Sequence, residues 1–198
     1  MSRKAAISLL VIAGLIVAAS WWAISVNRQL VRLDQSVNEK WAQVQNVYQR
    51  RADLIPNLVE TVRGFAAQER TVFEEVTKAR ASATRVQLPP QALSDPRALE
   101  RFQAAQDTLS GALGRLLVVV ERYPQLKSNQ NFLALQTQLE GTENRIAVER
   151  RRFNEAVRDY NTRLLLFPEH LVARVSGFQP KAYFEATPDA ATPPKVKF

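Results

Sequence analysis

The stretch Ala5 to Ile24, AAISLLVIAGLIVAASWWAI, carries no charge and limits the possible folds of this chain more than any other segment. At about 1.5 Å per residue, a helix of that length crosses a hydrocarbon core of about 30 Å. The next most apolar runs, Leu116 to Val120 and Leu164 to Phe167, are short and sit in charged, helix-patterned surroundings. The expectation is one transmembrane anchor at 5–24, a short flank at 1–4, and a polar domain on one side of a membrane. Trp21 and Trp22 close the run, where indole rings favour the headgroup boundary, and are read as interface anchors. Gly14 and Ala18, one turn apart, give a weak helix-pairing signal. Arg3, Lys4 and the Val17–Ala19 stretch ahead of Ser20 also fit a cleavable signal, but the run continues past that point through both tryptophans, which favours an uncleaved anchor.

Sidedness is less constrained. Arg3 and Lys4 nearly balance Arg28, Arg32 and Lys40 across the anchor. A basic start followed at once by an apolar run is how exported chains begin, which favours a cytoplasmic amino terminus and an exported domain. With no cysteine in the chain, lipoprotein attachment is excluded and the domain is indifferent to redox compartment.

Beyond the anchor, about 160 residues suffice for one domain with a real core. Six glycines in 198 residues, a 46% hydrophobic fraction and long segments without turn signals favour an all-α chain. A net charge of +8 admits an acidic partner, either nucleic acid or an anionic lipid surface. Most arginines, however, alternate with glutamates along helices, as in Glu149 to Glu155 (ERRRFNE), the pattern of a solvated, ion-paired face.

Apolar residues Leu30, Leu33, Val37, Trp41, Val44 and Tyr48 recur at spacings of three and four, which predicts an amphipathic helix from Asn27 to about Arg51, continuous with the anchor. Pro56 is expected to kink that helix or restart it with Asp53 as a cap. The stripe resumes as Leu58, Val62, Phe65, Val72 or Phe73, Val76 and Ala83, to about Arg85. Gln87 to Pro96 reads as a connection, with Ser94 and Asp95 before Pro96 as a helix start. The next helix carries Leu99, Phe102, Ala105, Leu109, Leu113, Leu116 and Val120, with Gly111 and Gly114 read as room for a close neighbour. From about Asn129 to Leu166 heptad spacings run through Phe132, Leu135, Leu139, Thr142, Ile146, Phe153, Val157, Tyr160 and Leu164, a stripe long enough to pack on both earlier helices. A short turn at Pro168 to Arg174 follows, then Phe178, Tyr183 and Phe184 docking on the bundle. The bundle domain is thus expected over 25–185, with a disordered tail at 186–198.

Chemistry-bearing motifs are sparse. His170 is the only histidine, so a catalytic triad, a cysteine–histidine pair and the common zinc sets are unavailable within one chain. No paired Glu-x-x-His, phosphate loop, dinucleotide turn or nucleophile elbow occurs. The expectation is a non-enzymatic protein with no cofactor, no metal and no small-molecule substrate. Two polar clusters stand out: Arg50, Arg51, Asp53, Asn57 and Glu60 around Pro56, and Glu140, Glu143, Asn144 and Arg145 in the last long helix. They suit a carboxylate site, a partner-docking surface, or pairing across a helix seam that sets register, and the last is favoured. Basic residues are spread out and aromatics fall on apolar stripes, which argues against nucleic-acid binding.

The segments KWAQVQNVYQRRADLIPNLVETVRGFAAQE (Lys40 to Glu69), ARA (Ala79 to Ala81), YPQLKSNQNFLALQTQLEGTENRIAVERRRFNEAVRDYN (Tyr123 to Asn161), FPEHLVA (Phe167 to Ala173) and GF (Gly177, Phe178) follow one apolar amino-terminal segment. In that order they resemble the LemA family over most of the chain. The resemblance implies a four-helix-bundle-like bacterial membrane protein of unsettled biochemical role, without a recognised catalytic site. Some relatives carry a lipoprotein signal, which supports an exported domain at the inner membrane; others have been regarded as cytoplasmic-facing, and this chain lacks the lipoprotein cysteine. A magnetosome-associated branch linked to membrane formation implies a role in organising membranes. The first expectation is therefore a membrane-anchored scaffold or adaptor of the cell envelope, acting through self-association and other envelope proteins. Its alternative is an oligomeric, lipid-remodelling protein whose arginines meet anionic headgroups.

Overall fold

The structure, a computed structural model, describes residues 3–185, and the expected tail at 186–198 lies outside them. Helix α1 runs without a break from Arg3 to Arg63, through the apolar segment and on into the bundle. Its apolar stretch has a mean hydropathy of 2.3 and no part of that window is covered by the rest of the protein, so by length and composition it can cross a membrane.

Pro56 neither ends nor restarts α1. A proline inside a helix leaves the carbonyl four residues earlier without its donor, at a cost of about 3 kcal/mol. Here that carbonyl, on Ala52, accepts a 2.7 Å bond from Arg80 Nε on the next helix. A neighbouring helix thus supplies the missing donor, and Asp53 caps nothing. The chain instead turns after Arg63, where Ala66 is fully buried and the backbone closes through Phe65 N to Val62 O at 3.0 Å. Phe65, expected in the apolar stripe, stands 40% exposed at this turn.

Helix α2 (Arg70–Arg85) descends antiparallel to α1, a 3₁₀ turn occupies Pro90–Ser94 within the proline-rich connection, and α3 (Pro96–Val120) climbs back. Asp95 caps α3, its side chain accepting from Arg97 N at 3.0 Å. One turn, α4 (Pro124–Lys127), reverses the chain into α5 (Gln130–Leu165), capped by Asn129 on Phe132 N at 3.0 Å. Helix α6 (Glu169–Val175) and an extended segment, 178–185, complete the described chain.

The helices pair unevenly. α5 packs along α1 and α2 along α3, so α5 does not lie evenly on both earlier helices as its stripe suggests. The core divides accordingly. Toward the apolar end of α1 it is aromatic: Trp41 meets Phe102 at 5.3 Å and Phe153 at 5.5 Å between ring centroids, and Phe153 meets Phe184 at 5.5 Å. Toward the far tip it is aliphatic, built on Ile55, Leu58, Val62, Val76, Leu109, Leu116 and Leu139 around Phe73 and Phe132. Phe184 is buried and Phe178 half-buried, whereas Tyr183 faces outward. A side chain at Gly114 would meet nothing within 4 Å, and one at Gly111 only the end of Arg115, so neither glycine admits a helix closely.

Candidate interaction site

Of the two polar clusters, the fold brings together one residue from each. Arg51, a charged side chain at an inward position of α1, is only 1% exposed, and its guanidinium is almost fully partnered. Nη1 donates to Glu143 Oε1 at 2.7 Å and to Ser110 Oγ at 2.8 Å. Nη2 donates to Gln106 Oε1 at 2.6 Å, and Gln106 Nε2 in turn reaches the Ala83 carbonyl at 3.3 Å. The Tyr48 ring lies 5.1 Å from the guanidinium carbon. One arginine on α1 is therefore bonded to α3 and α5 directly and to α2 through Gln106. Burial pushes the Tyr48 phenol up, opposed by the charges of Arg150 and Arg51.

The remaining candidates stay apart from this node. Arg50, Asn57, Asn144 and Arg145 face solvent. Asp53 accepts from Gln49 at 2.8 Å, Glu60 pairs with Arg63 at 2.7 Å, and Glu140 accepts from Gln136 at 2.9 Å, all on their own helices. Trp21 is 76% exposed and Trp22 38%, both beyond the bundle. Among the described residues, no group of three His, Cys, Asp or Glu side chains converges on a metal position.

Beside the node lies a cleft of about 540 Å³. Leu58, Leu113, Gly114, Leu117 and Leu139 form its apolar floor, and Gln136, Glu140, Glu143 and Asn144 its rim along α5. Glu143 belongs to both features, with 45% of its side chain still accessible while it holds Arg51.

A second polar system has no counterpart in the sequence reading. The 178–185 segment is held by side chains of α5 that pair with its backbone as a neighbouring strand would. Asn161 accepts from Lys181 N and donates to Lys181 O, both at 2.9 Å. Seven residues earlier, Asn154 does the same for Phe184, at 2.9 and 3.0 Å. Tyr160 donates to Gln179 O at 3.0 Å, and the buried Lys181 ammonium reaches Asp34 at 2.7 Å. Burial first, then the Asp34 carboxylate, pushes the Tyr160 phenol up to about 12. The only signal for this clamp is an asparagine repeated at heptad spacing beside the apolar stripe of α5.

An all-helical bundle continuous with an exposed apolar helix defines a membrane-associated helical protein. Residues 40–198 match the sequence profile of the LemA family, and the chain belongs to that family. Among its relatives are Magnetosome protein MamQ 1 and MamQ 2 of Paramagnetospirillum magneticum and Magnetosome protein MamQ of Magnetospirillum gryphiswaldense. Each is 28% identical over 179 residues, covering 82% of this chain. The chain spans 66% of the length of these relatives, just under two thirds.

Proposed function

We propose that this protein is a non-enzymatic, membrane-anchored scaffold or adaptor of the bacterial cell envelope that offers the α3–α5 cleft to a protein segment. The carrying observation is that the cleft and the apolar segment share one uninterrupted helix: Leu58 in the cleft floor stands about 50 Å along α1 from Ile24. An apolar floor with carboxylates on its rim suits an amphipathic helix whose apolar stripe is flanked by lysine or arginine, from another envelope protein or a second copy. The Arg51 node serves by fixing the register of the helices that frame the cleft. A photo-crosslinking side chain at Leu117, used in intact membranes at native expression, is expected to give discrete higher-mass products, and one at Lys78 on the outer face of α2 is not. Monomer alone from Leu117 overturns the proposal.

We place the domain on the periplasmic side of the inner membrane; protease added to spheroplasts is then expected to degrade it, and protection assigns it to the cytoplasm. A second reading, remodelling of an anionic lipid surface by oligomers, is supported by exposed Arg28, Arg32 and Arg174 near the apolar end and by the magnetosome relatives. It requires binding of residues 25–198 to anionic vesicles that weakens as salt rises, and salt-insensitive or absent binding removes it.

A further inference from the structure

The end of α5, the connection to α6 and α6 itself together carry five large apolar residues that the bundle leaves uncovered. Leu165 is 68% exposed, Phe167 78% and Val175 91%, with Leu166 and Leu171 about half exposed. This density of exposed apolar side chains at one corner is unusual for a surface that meets only water. The same turns also have an inward side, where Leu164, Val172 and Ala173 pack with Val26 and Leu30 of α1. The corner is thus built with one face on the bundle and one face free.

Its position along α1 says what the free face meets. Arg163, two residues before the corner, donates from Nη2 to Gln29 at 3.0 Å and pairs with Glu169 at 2.9 Å. Helices α1 and α5 are antiparallel, so Leu166 stands level with Val26, about 3 Å along the axis from Ile24 at the end of the uncharged run. The interfacial layer beyond the hydrocarbon is roughly 5–7 Å deep on each side. A helix that spans the bilayer with Trp21 and Trp22 at its boundary carries this corner into that layer. Arg28, about 6 Å along the axis from Ile24, and Arg174 on α6 are exposed, cations of the kind that suit lipid phosphates.

We propose that the α5–α6 corner is a second membrane contact, inserting Leu165, Leu166, Phe167, Leu171 and Val175 into the headgroup region of a phospholipid bilayer beside the anchor. The proposal rests on the 5–24 segment crossing the membrane. Two attachments at the same bilayer face fix the rotation of the bundle about the anchor axis, which a single helix leaves free, so one face of the rod is turned permanently toward the lipid and the others away from it.

The chain has no cysteine, so single cysteines can be introduced one at a time into the full-length protein for labelling with an environment-sensitive fluorophore. The positions are Phe167 and Val175 at the corner, Leu15 in the apolar segment, and Thr71 at the far end of the bundle. The labelled proteins are reconstituted in phosphatidylcholine–phosphatidylglycerol vesicles with lipids spin-labelled either high on the acyl chain or near its end. Labels at Phe167 and Val175 are expected to emit blue-shifted relative to Thr71 and to be quenched several-fold more by the high spin label than by the deep one. Leu15 should be quenched more by the deep label. Corner labels quenched no more than Thr71, with Leu15 quenched, overturn the second contact and leave the anchor standing. If Leu15 is also unquenched, the anchor fails and takes the corner with it. Corner labels shielded from aqueous iodide yet untouched by spin-labelled lipid show that protein covers the patch, and overturn a lipid occupant. The far-ultraviolet spectrum of each variant shows that the helices are retained, and Phe167 and Val175 test the corner independently.

Discussion

The two halves of the bundle are held together differently. The half nearer the apolar segment is aromatic and cross-tied, with Trp41 fully buried among Phe102, Phe153 and Phe184, its Nε1 donating to Leu88 O at 2.9 Å, and the 178–185 segment clamped over it. The far half is aliphatic, its seam stays open as a cleft, and its ties are fewer and mostly exposed: Tyr123 with Gln68 at 2.7 Å and Glu69 at 3.1 Å, Arg122 with Glu69 at 3.2 Å, Arg115 with Glu75 at 2.9 Å, and Arg80 on the Ala52 carbonyl. Large rings in edge contact specify one packing, whereas aliphatic side chains tolerate repacking. The near half is therefore the more uniquely packed and the far half the more tolerant of repacking, with the Arg51 node between them.

The sharpest way to break this contrast is Trp41→Ala, expected to cost about 3–5 kcal/mol in urea unfolding of the detergent-solubilised protein, because the cavity is enclosed by rings that cannot collapse. Leu113→Ala, beside the open cleft, should cost about 2 kcal/mol, the low end of such truncations. Equal costs for the two would erase the distinction. Arg51→Met is expected to cost about 2–3 kcal/mol by stranding the buried Gln106 side chain, and Arg51→Lys should not restore it, since an ammonium cannot reproduce the fork. Glu143→Gln should cost less, about 1 kcal/mol, because that carboxylate is half in water. Asn161→Ala is expected to cost about 1–2 kcal/mol and to accelerate amide hydrogen exchange at Lys181 while the α2 amides keep their rates.

The smallest effect is one of pH. Tyr160 is held neutral, with its pKa raised from 10.0 to about 12, so the folded state releases its proton later than the unfolded state. The resulting stability is fully present below pH 10 and is lost as pH rises through 12. Unfolding midpoints should fall over that interval, with Asp34 and Lys181 the charged neighbours of the ring, and Tyr160→Phe should flatten the decline.

Much of this architecture is legible in the residues. The stripe from Leu30 to Tyr48 and the heptads from Phe132 to Leu164 report burial because a helix repeats its inward face every three or four positions, and the caps at Asp95 and Asn129 announce themselves by residue type. Pro56 misleads because its effect depends on Arg80, a donor on another helix that no local pattern reveals. The Arg51–Glu143 pair spans 92 positions, so each half looks like one more charge in a charged stretch until the helices are set side by side. The clamp on 178–185 is hidden more deeply, since asparagine on a helix marks neither a cap nor a core, and its partners are backbone atoms without a sequence signature.

The absence of any break between the apolar segment and the bundle turns α1 into a lever. Helices in bilayers lean by about 20° on average, and at a height of about 50 Å that lean carries the cleft sideways by roughly 17 Å. Where the apolar segment spans a bilayer, a thicker or thinner membrane that changes the lean is converted into lateral travel of the cleft.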